Sequence, residues 1–230
     1  MMEKMYFNYT FKLNNGEEKK INVKLDNELN LIEKKRENYP EWVEMKNFRC
    51  KNCKLDENRR ICPVASNLLE IIEEFKEIYS YEEAEIIIET PERTYFKKTS
   101  VQSGIGSLMG IYMVTCGCPT LEKLKPMVKF HLPFATIEET MYRAVSMFMT
   151  AQLLRKEKGL SAEFDLKEII EIYSEIEKVN INFAKKLNEM NMSDASINAI
   201  VLLNSFANFA NLSFDDDLND SLGQYFKMYL

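Results

Sequence analysis

Four cysteines are the residues of this sequence best able to do chemistry together: Cys50, Cys53, Cys62 and Cys118. The first three fall within thirteen residues as C-x2-C-x8-C. A C-x-x-C pair aims two thiolates at one ion from a tight turn, and tetrahedral zinc accepts four such ligands at about 2.3 Å. The fourth ligand must come from a later segment, where Cys116, Cys118 and His131 are the candidates. Cys118 is favoured because, like Cys62, it precedes a proline and lies just past an expected helix end, where a side chain can turn back toward a loop. Cys116 fits an ordinary buried thiol. Four protein ligands leave no open position for water or substrate, so the ion would be structural, a clip whose binding free energy becomes folding free energy. An iron–sulfur cluster is satisfied by the same four thiolates. A redox dithiol at Cys50 and Cys53 fits less well, since such pairs open a helix after a strand and the flank here is charged and loop-like.

A second group spans Lys97, Lys98, Thr99, Ser100, Val101, Gln102, Ser103, Gly104, Ile105 and Gly106. It joins lysines, hydroxyls and glycines at an expected helix start, where free amides and the positive end of the helix dipole attract carboxylate or phosphate. With His131, the residues Lys97, Lys98, Thr99, Ser100, Ser103 and Gly104 are the candidates for holding a small anionic ligand. The segment matches neither G-x4-G-K-[ST] nor the dinucleotide fingerprint. Capping by Thr99 or Ser100, with close helix packing at Gly106 and Gly110, accounts for the same residues without a ligand. His131 is the sole histidine and titrates near neutrality. It suits acid–base work, metal ligation or, between Phe130 and Leu132, a hydrogen-bonded core position. No catalytic triad or H-E-x-x-H motif can be written. Glu138 and Glu139 read as helix-start residues, with a surface pair from Glu139 to Arg143, and Asp215–Asp217 read as favourable charge in the first turn of a last helix. The methionines Met109, Met113, Met141, Met147 and Met149 read as core fillers.

The elements that must position these residues follow from periodicity. Phe7, Tyr9, Phe11 and Leu13 alternate with polar residues, Asn14-Asn15-Gly16 turns the chain, and Ile21, Val23 and Leu25 alternate on the return, predicting a hairpin. Residues 85–90 and 93–98 predict two more strands around Thr90-Pro91-Glu92. Helices are expected from Pro63 to about Tyr79, Ser100 to Thr115, Thr136 to about Lys158, Asp165 to about Met190, Ser193 to Ala210 and Ser213 to Tyr229. The predicted fold is α+β: a small N-terminal antiparallel sheet of about four strands packed on a mainly helical C-terminal bundle. One domain is expected over residues 1–230, with a strand-containing, cysteine-rich half at 1–98 and a helical half at 99–230.

Composition bounds the function. Hydrophobic residues make up 46% and charged residues 29% of the 230, with 7 Gly and 6 Pro, which is globular composition with few long loops. A net charge of −6 argues against a nucleic-acid binder. The start lacks the apolar stretch of a signal peptide, and no run reaches the ~18 apolar residues of a membrane span. A cytoplasmic location is therefore expected, where thiols stay reduced and clustered cysteines read as metal or redox chemistry.

The segments Cys62-Pro63-Val64-Ala65, Thr90-Pro91-Glu92-Arg93-Thr94-Tyr95, Thr99-Ser100-Val101-Gln102-Ser103-Gly104, Ser107-Leu108-Met109-Gly110 and Phe130-His131-Leu132-Pro133 resemble an uncharacterised bacterial family, a domain of unknown function. The similarity covers most of the chain. In that family's pattern Ser-Gly-Cys-Pro stands where this chain has Cys116-Gly117-Cys118-Pro119, so the resemblance favours Cys118 as fourth ligand and makes Cys116 a departure. It implies no activity. Three functions remain as expectations: a zinc-clipped module binding a small ligand or partner protein; an enzyme acting on an anionic substrate near Lys97, Lys98, Ser103 and His131, which requires a concave pocket joining them; and an iron–sulfur redox protein.

Overall fold

The alternation of Phe7, Tyr9, Phe11 and Leu13 builds strand β1 (Met5–Leu13), which buries all four on one face. A three-residue turn follows, closed by Leu13 N–H donating to Glu17 O at 2.9 Å, with Gly16 at φ 87°. That left-handed position is one glycine occupies without steric cost. Strand β2 (Glu18–Leu25) returns with Ile21, Val23 and Leu25 inward. Strands β3 (Glu83–Glu89) and β4 (Thr94–Ser100) form a second hairpin. The four make one antiparallel sheet in the order β2-β1-β3-β4, so β1 pairs with both its sequence neighbour and the distant β3. The computed structural model describes residues 5–32, 36–192, 194–213 and 223–229, the stretch 209–213 by backbone alone.

Helices cover the inner face of this sheet. They are α1 (Met45–Phe48), α2 (Pro63–Glu74), α3 (Val101–Val114), α4 (Pro126–Lys129), α5 (Ile137–Glu157), α6 (Lys167–Glu189) and α7 (Asp194–Ser213). The fold is α+β, and the hydrophobic core runs without a break from Phe7 on β1 to Ala207 on α7. The α5 start is the expected capping box: Glu139 N–H donates to Thr136 Oγ1 at 3.2 Å and Thr136 N–H to Glu139 Oε2 at 2.7 Å. Helix α2 stops at Glu74, short of the expected Tyr79. Its capping residue Phe75 is fully buried edge-on against Phe11, centroids 4.8 Å apart, which pins the chain to the sheet before another turn can form. The short helices α1 and α4 have too few residues to show a period in sequence. Asp215–Asp217 and most of the expected last helix lie outside the described residues; Ser213 is the end of α7, and Gly223–Phe226 is one 3-10 turn. Among the described residues no helix is long and apolar enough to cross a membrane.

Helix α3 lies between the sheet and α7. A Cβ added at Gly104 would lie 2.4 Å from Ile86 Cδ1 and 2.5 Å from Phe11 Cε1. The expected packing glycines, Gly106 and Gly110, have nearest neighbours at 3.5 and 3.8 Å, which is ordinary contact. Close approach is therefore required at Gly104, and Gly106 and Gly110 leave room.

Candidate functional site

The cysteines come from three places. Cys50 and Cys53 occupy the loop after α1, Cys62 is the residue before Pro63 at the start of α2, and Cys118 follows the end of α3. All four line one cavity of about 20 Å³, walled by Phe48 and Phe183. Each sulfur but one has a donor beside it. Asn182 Nδ2 donates to Cys50 Sγ at 3.4 Å and to Phe48 O at 3.1 Å. The amides of Ala65 and Val64 favour the Cys62 thiolate, and those of Leu121 and Thr120 the Cys118 thiolate. Burial nevertheless pushes both thiols up, and pushes Cys50 up to about 12 with help from Cys62, Cys118 and Cys53. Asn52, between the paired cysteines, ties the loop to α6 through Glu175 O at 2.9 Å and Glu175 Oε2 at 2.8 Å.

Cys116 is not on that cavity. Its thiol donates to Met113 O at 2.9 Å, and burial drives its pKa well up. His131 lies elsewhere too. Among the described residues, no group of three or more His, Cys, Asp or Glu side chains is already arranged to hold a metal ion. The four thiols share a cavity without having closed to ligand geometry.

A larger cavity of about 430 Å³ opens between α3, β4, the segment 121–136, α5, α6 and α7. Such a volume is in the range of small-molecule sites. Of the ligand candidates it takes in Lys97, Ser103 and His131, and not Lys98, Thr99, Ser100 or Gly104. Strand alternation explains the split. Lys97 is opposite Ile86 on the inner face, whereas Lys98 is opposite Glu85 on the outer face. Ser100 Oγ meets Ser103 Oγ at 3.0 Å, and Gly104 is against the sheet. The first amides of α3 are spent on backbone, Val101 N–H on Glu82 O at 2.7 Å and Gln102 N–H on Ser80 O at 3.3 Å. Those two amides are therefore not available to an anion.

His131 lies in the cavity wall, half-buried, with Phe7 edge-on at 5.2 Å. Its Nε2 is 3.0 Å from Tyr9 Oη and 3.2 Å from Ser107 Oγ, and those two hydroxyls are 3.0 Å apart. Burial and the positive charge of Arg143 hold its pKa down to about 3. A neutral ring protonated on Nδ1 leaves one lone pair on Nε2, which accepts from one of the two hydroxyls while the other donates to its hydroxyl neighbour. Burial pushes the Tyr9 phenol far up, so it too stays protonated.

Arg143 is the residue the sequence reading misplaced. It does not pair with Glu139; Nε donates to Phe130 O at 3.2 Å and Nη2 to Met127 O at 3.1 Å, at the edge of the cavity. Burial lowers its pKa. The signal for this was present, because Arg143 falls between the buried Met141 and Ala144 on α5. Tyr9, Ser107, Phe134 and Tyr173, distant in sequence, give no such signal. Phe134 has φ 59°, left-handed for a bulky residue, a strain of about 1–2 kcal/mol of the kind found at ligand clamps. Its ring lies under Lys97 Nζ, 5.6 Å from the centroid.

The family model described as a domain of unknown function (DUF6901) matches residues 7–227. The chain belongs to that family. Neither the curated proteins nor the solved structures compared with it give a significant match. Within this DUF6901 chain the matched stretch takes in all four clustered cysteines and every described wall of the larger cavity.

Proposed function

We propose that this DUF6901 protein is a small-molecule-binding module whose halves are clipped together by a structural zinc ion on Cys50, Cys53, Cys62 and Cys118. The observation carrying the metal reading is that four thiols from three separate segments line one cavity of about 20 Å³. That volume suits a single ion, since one water-sized sphere needs roughly 10–15 Å³, and is small for a four-iron cluster. Asn182 and the amides after Cys62 and Cys118 would hold the thiolates in place, the role outer partners play around metals. Four thiols on one small cavity that ionise together repel one another, and a divalent cation removes that penalty. The ligand-binding part is supported by the larger cavity. The ion would supply charge and cross-linking and would take no part in binding the ligand.

The test is elemental analysis of freshly purified protein with its visible spectrum. One zinc ion per chain and a colourless solution are expected. Cys62→Ser and Cys118→Ser should each lose the metal and lower Tm by on the order of 10 °C, taking a loss of about 4 kcal/mol at about 2–4 °C per kcal/mol for a chain of this size. Cys116→Ser should keep both metal and Tm. Metal-free protein whose Tm ignores chelation would refute the zinc clip, and iron with broad visible absorption would replace it by an iron–sulfur site.

A second reading has one contact in its favour. Ser107 Oγ at 3.2 Å from His131 Nε2 is the pairing from which a serine nucleophile is activated. The depressed His131 pKa makes it a poor base, and Tyr9 Oη at 3.0 Å competes for the same nitrogen. Labelling of Ser107 by a fluorophosphonate would favour the enzyme; the binding module predicts no labelling.

A further inference from the structure

We propose that the larger cavity takes an amphipathic monocarboxylate, its carboxylate between Lys97 and Arg143 and its apolar body against Met113, Leu121, Leu124, Leu203 and Phe206. This rests on the reading of that cavity as a ligand site. The charge pattern carries the argument. In a chain of net charge −6, the described cavity wall contains Lys97 and Arg143 and neither Asp nor Glu. Nearly all else that lines it is aliphatic, aromatic or hydroxyl-bearing.

Both cations border the same turn. Arg143 holds the Phe130 carbonyl, and Lys97 is over the Phe134 ring. Two of the three guanidinium nitrogens are anchored on carbonyls, which aims the group and leaves Nη1 without a partner among the described residues. Lys97 likewise has no carboxylate partner among them, and its cross-strand neighbour is Ile86. Arg143 is partly removed from water without a counter-charge, which is unfavourable and which a bound anion relieves, while the exposed Lys97 stands at the mouth of the same cavity wall. A carboxylate matches the available donors. A phosphate ester would call for a cradle of free amides, and at the α3 start those of Val101 and Gln102 are already engaged. The Thr136 hydroxyl, which accepts from Glu139 N–H, keeps its own proton for a ligand at the same wall, whereas that of Thr140 is donated to Thr136 O. The neutral Tyr9–Ser107–His131 cluster adds no opposing charge.

Calorimetric titration of the full-length, metal-loaded protein with decanoate, decanol and decylammonium reads this directly. Decanoate should bind at least about tenfold more tightly than decanol, and decylammonium should not bind. Lys97→Met should weaken decanoate by about tenfold and leave decanol unchanged, whereas Lys98→Met on the outer face should change neither. Inorganic phosphate should not displace decanoate. Equal affinity for acid and alcohol, displacement by phosphate, or indifference to Lys97→Met would overturn the carboxylate assignment while the cavity kept its ligand role. Failure of all three probes to bind would overturn both. Zinc content measured on the same samples keeps either failure separate from that of the metal clip.

Discussion

His131 is the only histidine of the chain, so its titration can be read almost alone above the carboxylate range. Its folded pKa, about 3, lies below the ordinary 6.5 because burial and Arg143 disfavour the charged ring. Between those values the unfolded chain binds a proton that the folded chain does not. The stability from the neutral ring is therefore complete above pH 6.5 and is lost as pH falls toward 3. Urea unfolding at pH 7 and pH 5 should show a loss of about 2 kcal/mol in the wild type, and His131→Gln should remove most of that difference. An unchanged slope in the variant would place the titrating group elsewhere. At this scale the sequence was informative about residue type and silent about direction. Lys97 and Lys98 are adjacent and chemically alike, and only the pleat sends one to the cavity and the other to Glu85. Arg143 was assigned to the nearest carboxylate in sequence, whereas its donors go to two carbonyls thirteen and sixteen residues away.

Helix α3 gives the clearest case at the element scale. Gly104 is its point of contact with the sheet and Gly110 has room for a methyl group, so alanine should act oppositely at the two. Gly104→Ala must push Ile86 and Phe11 aside and should cost about 1–3 kcal/mol. Gly110→Ala meets Leu203 Cδ2 only at 3.8 Å, and helix propensity should stabilise the protein by up to about 1 kcal/mol. Thermal melts of the two variants would check the pair, and destabilisation by both would mean that α3 also packs tightly at Gly110. Most elements were legible in advance, because hairpin alternation, the capping box at Thr136 and the start at Pro63 are local signals. Which glycine touches the sheet was not legible. That depends on the Phe11–Ile86 pair across β1 and β3, residues 75 positions apart meeting through the register.

For the whole molecule, Cys118 begins the turn that carries Leu121, Leu124, Met127 and Val128 to the wall of the larger cavity. A metal on Cys118 would therefore brace the ligand cavity from outside it. Stripping the metal should speed amide exchange over residues 119–132 and weaken decanoate several-fold, while β1 and β3 keep their protection. Unchanged exchange in that turn would separate clip from cavity. The sheet order has its own consequence, one of time. The β1–β2 and β3–β4 hairpins each close over a short turn, but β1 can meet β3 only after the intervening chain, with its cysteine loop and α2, has looped back. Loop-closure entropy must be met before that seam's contacts reward it. The seam is thus the slow event in assembly: two hairpins can form within microseconds and still wait for each other, and Tyr9 opposite Ile88 is where the wait ends.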